Sequence, residues 1–240
     1  MTEQVEADVL YEKGLDYLYG DGIDKNPEKA IECFEEAASN GSSQALFEIG
    51  EMYWWGDLER DEEKAVSYFE VAAKKGDRNA QHALGFAYRY GRGVKADLSK
   101  ATKLLLQAAL QRHPEAQNRV GNAYRLGEGF SQSYTAAFNW YTNSAGYGDS
   151  HGQTNLGACY YKGEGTTKDI HKANYWWRKS AEQGYRQGQL NLGFSYLLGE
   201  GVTKNPRIAK KWFRLAAQKS QPDAFRVLQA IAVTERKHIP

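Results

Sequence analysis

The sequence predicts an all-α fold, a right-handed superhelical solenoid of six two-helix repeats closed by a C-terminal capping helix. Three observations carry the prediction. Gly14, Gly50, Gly85, Gly121, Gly157 and Gly193 recur 36, 35, 36, 36 and 36 residues apart, and a period in this range marks stacked repeats. Each glycine is followed three residues later by a tyrosine (Tyr17, Tyr53, Tyr88, Tyr124, Tyr160, Tyr196) and, three further on, by another glycine. Ala30, Ala65, Ala101, Ala137, Ala173 and Ala209 follow in phase, each with a small pair seven and eight residues on, from Ala37-Ala38 to Ala216-Ala217.

The elements follow in order. The first helix of a unit carries the glycine and tyrosine and ends at a Gly-x-Gly pair, as in Gly20/Gly22, Gly91/Gly93, Gly127/Gly129, Gly163/Gly165 and Gly199/Gly201, because glycine takes positive φ at a C-cap without a Cβ clash. Repeat two departs from the pattern: Gly56 is followed by Asp57 and Leu58, and the missing residue before Ala65 produces the single 35. Asn26-Pro27, Asp97, Asp169 and Asn205-Pro206 read as N-cap and first-turn signals of the second helix. Between its alanine and its small pair that helix carries a bulky pair, such as Tyr68-Phe69, Trp140-Tyr141 or Trp176-Trp177. Small residues at fixed positions let helix axes approach, and the bulky residues cover the neighbouring groove. No hairpin buries its apolar face alone, so six stack into a single domain over 1–240. The repeats span 9–41, 45–76, 80–112, 116–148, 152–184 and 188–220, and Ala224 and Leu228, in phase with Leu192, predict a capping helix over 222–236.

Repeat three, with Ala80, Leu84-Gly85, Tyr88, Gly91-Arg92-Gly93-Val94, Asp97, Lys100-Ala101 and Ala108-Ala109, resembles the Sel-one-like repeat family, a relative of the tetratricopeptide repeats, and the match runs from Val9 to Ser220. The resemblance implies a non-enzymatic adaptor or scaffold in protein–protein interaction. Some members of the family were described as acting on β-lactams, but this sequence holds no Ser-x-x-Lys.

Composition narrows the class. The 240 residues are 41% hydrophobic, enough for a core, and hold no apolar run of about 18 residues that would insert in a membrane. The N-terminus lacks a basic stretch followed by an apolar one, which places the chain in the cytoplasm by default, where Cys33 and Cys159 are expected as free, packed thiols. The net charge of +1 argues against a dedicated nucleic-acid binder. It conceals a gradient: residues 1–120 hold 15 basic and 22 acidic residues, net −7, and residues 121–240 hold 16 and 8, net +8.

No catalytic, metal or cofactor constellation emerges. The five histidines lack metal-ligand spacing and read as surface residues, and Gly163-Glu164-Gly165-Thr166-Thr167-Lys168 lacks the Gly-Lys-Ser/Thr of a phosphate loop. If the resemblance to tetratricopeptide repeats extends to their concave face, the positions six and three before the repeat glycine and one, four and five after it line a partner-binding groove. The expected groove residues are Tyr11, Phe47, Trp54, Trp55, His82, Phe86, Arg89 and Tyr90, then Asn118, Asn122, Arg125, Tyr161 and Lys162. The cations among them resemble carboxylate-gripping patches: guanidinium groups hold a carboxylate through paired hydrogen bonds and asparagine amides hold an extended backbone. An acidic or C-terminal peptide lying between Trp54 and Lys162 is therefore the expected partner. The tryptophans have a competing role in packing against repeat one or covering the shortened turn. Two alternatives stand beside this reading. Oppositely charged halves favour self-association, and Lys168, Lys172, Arg178, Lys179, Lys204, Arg207, Lys210, Lys211 and Arg214 offer an anionic surface or nucleic acid a contact, although the acidic half would repel a long polyanion.

Overall fold

A computed structural model describes residues 2–57 and 59–218; Leu58 and the cap expected over 222–236 lie outside the described residues. Among the described residues there are twelve helices and no strand: α1 (Thr2–Tyr19), α2 (Pro27–Ser39), α3 (Ser43–Trp55), α4 (Glu62–Lys74), α5 (Arg78–Tyr90), α6 (Leu98–Leu110), α7 (Pro114–Leu126), α8 (Tyr134–Gly146), α9 (Ser150–Lys162), α10 (Ile170–Glu182), α11 (Arg186–Leu198) and α12 (Pro206–Ala217). They pair into the six expected hairpins. The chain forms two compact units, Met1–Ala116 and Gln117–Pro240. Helix α1 begins at Thr2, ahead of the repeat start expected at Val9.

Capping explains why the second helices start where they do. Side-chain oxygens of Asn26, Asp61, Asp97, Ser133, Asp169 and Asn205 each accept the backbone N–H three residues on, at 2.9–3.2 Å, satisfying a donor that the first turn leaves open. Four of these are the expected caps; Asp61 and Ser133 are additional ones. First helices end as predicted, with Gly56, Gly91, Gly163 and Gly199 as left-handed C-caps. The turn leading back to the next repeat uses a left-handed residue as well. That residue is Gly41, Gly76, Gly148 or Gly184 in four cases, and in one it is Arg112, at φ 65°.

The repeat glycine faces the second residue of the bulky pair in its own hairpin. A Cβ on Gly14 would stand 2.5 Å from a Phe34 ring carbon, and one on Gly121 2.6 Å from the Tyr141 ring. Gly50 against Phe69, Gly157 against Trp177 and Gly193 against Phe213 repeat the arrangement. Phe34, Phe69, Tyr141 and Phe213 are fully buried as a result, each worth about 1.5–3 kcal/mol of apolar burial. The phase-locked tyrosine has a partner of its own: Lys29, Lys64, Lys100 and Lys172 place their ammonium groups 5.4, 4.1, 5.0 and 5.4 Å from the ring centroids of Tyr17, Tyr53, Tyr88 and Tyr160. Cys33 and Cys159 are free and buried.

One periodic feature escaped the sequence reading. Gln81, Gln117, Gln153 and Gln189 stand four residues before the repeat glycine and are all buried. In the first unit Gln111 Nε2 donates to Gln81 Oε1 (2.8 Å) and to the Gly76 carbonyl (3.1 Å), while Gln81 Nε2 donates to the Ala73 carbonyl (3.4 Å). In the second unit Gln183 Nε2 donates to Gln153 Oε1 (2.8 Å) and the Gly148 carbonyl (3.0 Å). The clasp satisfies amides that burial would otherwise penalise by about 1–3 kcal/mol each and ties hairpin three to the end of hairpin two and hairpin five to the end of hairpin four.

Candidate functional site

In the first unit the expected groove residues divide into packed and exposed sets. Trp54 requires a correction. It is 5% exposed and lies in the core, 5.9 Å from the Phe69 ring and 6.3 Å from Phe86, with the Arg92 guanidinium 4.3 Å from its centroid. A side chain so enclosed cannot meet a partner; Trp54 packs, but on Phe69 of its own repeat and on Phe86 and Arg92 of repeat three rather than against repeat one, the packing the sequence had offered. Phe47 is half-buried on Phe69, 5.8 Å between centroids. Tyr11 is half-buried too, its ring 5.9 Å from Phe34 and its hydroxyl donating to Glu48 Oε1 at 3.3 Å; burial and then Glu48 push that hydroxyl's pKa up. Phe86 links Trp54 to Tyr90, whose ring lies 4.6 Å from its own, and the Arg89 guanidinium lies 5.8 Å from the Tyr90 centroid.

The histidines need a correction as well. His82 and His113 are half-buried rather than on the surface. Their rings stack at 4.5 Å, and His82 Nε2 lies 3.7 Å from Glu115 Oε2, while His113 Nδ1 accepts the Ala116 N–H as the cap of α7. His151 and His171 are exposed as expected, and His238 lies outside the described residues.

What remains open in this unit is a register of aromatics on the last residue of each first helix. Tyr19 is 71% exposed, Trp55 69% and Tyr90 53%; all three stand five residues after the repeat glycine. Trp55 Nε1 donates to Glu51 Oε2 at 2.9 Å. Burial holds Glu48 and Glu51 above the ordinary carboxylate range, and neighbouring carboxylates push the same way: Glu51 and Asp77 act on Glu48, and Glu115 acts on Glu51. Tyr19 is raised by partial burial and then by Glu48, Asp57 and Glu51. Glu48, two residues before the repeat glycine, was missed at the sequence level because that position is not one of the expected inward ones.

In the second unit Asn118 is buried, and its Oδ1 accepts from Asn155 Nδ2 at 2.7 Å. This bond joins two first helices, so the expectation that Asn118 faces a peptide is corrected to an internal role. Asn122 Oδ1 accepts the Tyr141 hydroxyl at 2.8 Å. Burial raises the Tyr141 pKa to about 12 even with the opposing effect of Arg125 beside it. Arg125 and Tyr161 are half-buried and Lys162 is exposed. Tyr161 donates to Glu200 Oε2 at 3.0 Å and lies 5.4 Å from the Trp177 ring; Lys162 Nζ stands 3.6 Å from Glu164. Among the described residues no group of three or more His, Cys, Asp or Glu side chains could hold a metal ion, and none of the helices is long and apolar enough to cross a membrane.

The Sel1 repeat profile matches the chain six times, at residues 9–42, 43–77, 78–113, 114–145, 150–185 and 186–220. No curated protein sequence matches it. Among solved structures the chain is similar to c5321, a protective antigen present in uropathogenic Escherichia coli strains displaying an SLR fold, at 32% identity and a TM-score of 0.77, covering 94% of this chain and 49% of that one. It is also similar to a Sel1 repeat protein from Oxalobacter formigenes, at 30% identity and a TM-score of 0.80, covering 94% of this chain and 66% of the other. It thus spans under two thirds of either relative. The immunity protein Pa5087 from Pseudomonas aeruginosa shares the fold at 20% identity and a TM-score of 0.55, with 88% and 81% covered.

Proposed function

The chain belongs to the Sel1 repeat family, whose repeats generally mediate protein–protein interaction, and from that premise we propose that it is a non-enzymatic adaptor that holds a partner protein on the exposed ends of its first helices. The observation that carries the proposal is the register of exposed aromatics, Tyr19, Trp55 and Tyr90. Large apolar side chains left open in phase are costly to keep in water and are the residue types that anchor interfaces.

The second unit supplies the polar counterpart. Because Asn122 spends its Oδ1 on Tyr141, its Nδ2 is the end left to donate to a peptide carbonyl. Lys162 is held only by a solvent-exposed pair with Glu164, worth at most about 1 kcal/mol, so an incoming carboxylate can displace Glu164. Arg125, one turn of α7 from Asn122, supplies a second cation. An acidic or C-terminal peptide segment fits this group.

The test is capture from the native host's lysate with wild type and with Arg125→Glu/Lys162→Glu, followed by direct titration of each candidate with the purified proteins. A partner that binds wild type and loses at least about tenfold in the variant, with unchanged circular dichroism, is expected. Equal binding by both would remove the second-unit site. Retention of nothing by the wild type would remove the adaptor reading.

A further inference from the structure

Within the first unit Tyr90 of the exposed aromatic register has the Arg89 guanidinium 5.8 Å from its ring, whereas Tyr19 and Trp55 stand beside carboxylates, and this fixes the chemistry of what those two take. We propose that the Tyr19–Trp55 face of helices α1 and α3 docks a lysine- or arginine-bearing polypeptide segment, its cation set between the two rings and the carboxylates of Glu48 and Glu51. This rests on the reading of the chain as an interaction adaptor and adds a second face of opposite preference to the one proposed for Asn122, Arg125 and Lys162.

The argument starts from how the two glutamates are satisfied. Their hydrogen-bond donors are neutral: the Tyr11 hydroxyl for Glu48, at 3.3 Å, and the Trp55 indole N–H for Glu51, at 2.9 Å. The charges acting on them are further carboxylates, Asp77 and Glu51 on Glu48 and Glu115 on Glu51. Asp57 adds to the negative field at the Tyr19 ring and keeps only an exposed pair with Lys25, at 3.6 Å. Glu115 has His82 at 3.7 Å. Two half-buried anions with neutral donors and anionic neighbours make a surface on which an arriving cation relieves repulsion as well as gaining attraction.

The rings give the second half of the complementarity. An ammonium or guanidinium over the face of tyrosine or tryptophan is attracted by the ring quadrupole, most strongly where water is excluded. The same unit shows this chemistry internally, in Lys64 at 4.1 Å from the Tyr53 centroid and Arg92 at 4.3 Å from that of Trp54. Tyr19 and Trp55 are the aromatics of α1 and α3 that stand most open to solvent. The stem of a lysine or arginine lying across them covers apolar surface while its head reaches Glu48 and Glu51. An acidic segment would meet repulsion at the same place.

The experiment uses the full chain and a fluorescein-labelled peptide of alternating lysine and leucine, with a second peptide in which glutamate replaces lysine, read by fluorescence anisotropy. The expected result is binding of the lysine peptide that weakens at least about tenfold in Trp55→Ala and in Glu48→Gln/Glu51→Gln. Binding should be unchanged in Glu35→Gln/Glu36→Gln, two exposed acids of α2, and the glutamate peptide should stay unbound. Equal weakening by the α2 pair would mean diffuse attraction to the acidic half and overturn the site, as would binding of the glutamate peptide. Absence of lysine-peptide binding to wild type overturns it too, while leaving the adaptor reading to stand on the lysate capture. A concentration-dependent dimer in sedimentation that Trp55→Ala dissolves would assign the face to a second copy instead.

Discussion

Gly93 and Gly22 occupy the same place in their repeats, the second glycine of the turn, at φ of 63° and 73°. Their surroundings differ. A Cβ on Gly93 would stand 3.0 Å from Glu63 N and overlap the carbonyl of Glu62, at the start of α4 in the preceding repeat, whereas a Cβ on Gly22 would meet nothing within 4 Å. Alanine at either site costs about 1 kcal/mol for the left-handed backbone. At Gly93 the overlap is with main chain, which no side-chain rotation relieves. The turn and the first residues of α4 must part, an overpacking cost of about 1–3 kcal/mol in addition. With a urea dependence of about 2 kcal/mol per molar, Gly22→Ala should lower the midpoint by about 0.5 M and Gly93→Ala by about 1–2 M. Far-UV circular dichroism during urea titration reads both, and the steeper loss should come with a broadened transition as neighbouring hairpins uncouple. Equal losses in the two variants would refute the claim that the second glycine serves the contact between repeats and leave it with a backbone role alone.

Three further outcomes are expected. Arg112 holds the left-handed position that glycine fills elsewhere and is exposed, so Arg112→Gly should raise stability by about 0.5–1 kcal/mol in the same titration. Glu62 accepts hydrogen bonds from Arg92 and Arg60, which hold its carboxyl near about 2 against an ordinary 4.5; a carboxyl depressed in the fold stabilises it above about 4.5, and the contribution fades as pH falls toward about 2. Arg92→Ala should therefore flatten the stability-versus-pH curve in that window, by about 1 kcal/mol since solvent reaches the pair, and an unchanged acid limb in the variant would contradict the pairing. Burial lifts the Cys159 thiol to about 11 and raises that of Cys33. Both should react with a disulfide reagent at pH 8 far more slowly in the native protein than in urea, and a prompt reaction of either would contradict its burial.

The repeat was legible because its contacts are periodic. Gly50 and Phe69 each recur in phase, and the reason for one is the other: the ring sits where a Cβ would be. Caps of the second helices were legible for the same reason, except at Asp61, hidden by the one-residue shortening, and Ser133, a weaker signal than Asn-Pro. The face was harder to read. Trp54 and Trp55 are neighbours in sequence, yet about 100° apart around a helix, and which of them is enclosed depends on Phe69, Phe86 and Arg92, residues of α4, α5 and the turn after α5. The position of Trp54 holds Leu18, Arg89, Arg125, Tyr161 and Leu197 in the other repeats, so its residue type announces no fixed burial. Asn118 was misplaced because its partner, Asn155, lies 37 residues away in the next repeat, one residue out of phase with the period. A search for polar residues that recur at the period would have exposed the glutamines, Gln81, Gln117, Gln153 and Gln189, but not this out-of-phase pair.

Those glutamines also set how such a chain can change its length. Gln111 reaches back 30 residues to Gln81 and 35 to Gly76, and Gln183 reaches back 30 to Gln153 and 35 to Gly148. Material inserted inside either span would slide one end of the clasp off its partner and strand a buried amide. A whole hairpin added between clasps brings both ends with it. The shortening in repeat two falls between Gly56 and Ala65, outside both spans, where it displaces neither clasp. Growth and loss around the two clasps are therefore quantised: a turn outside the clasped spans, such as the one after Gly56, tolerates single residues, and within the spans the unit of exchange is the whole hairpin.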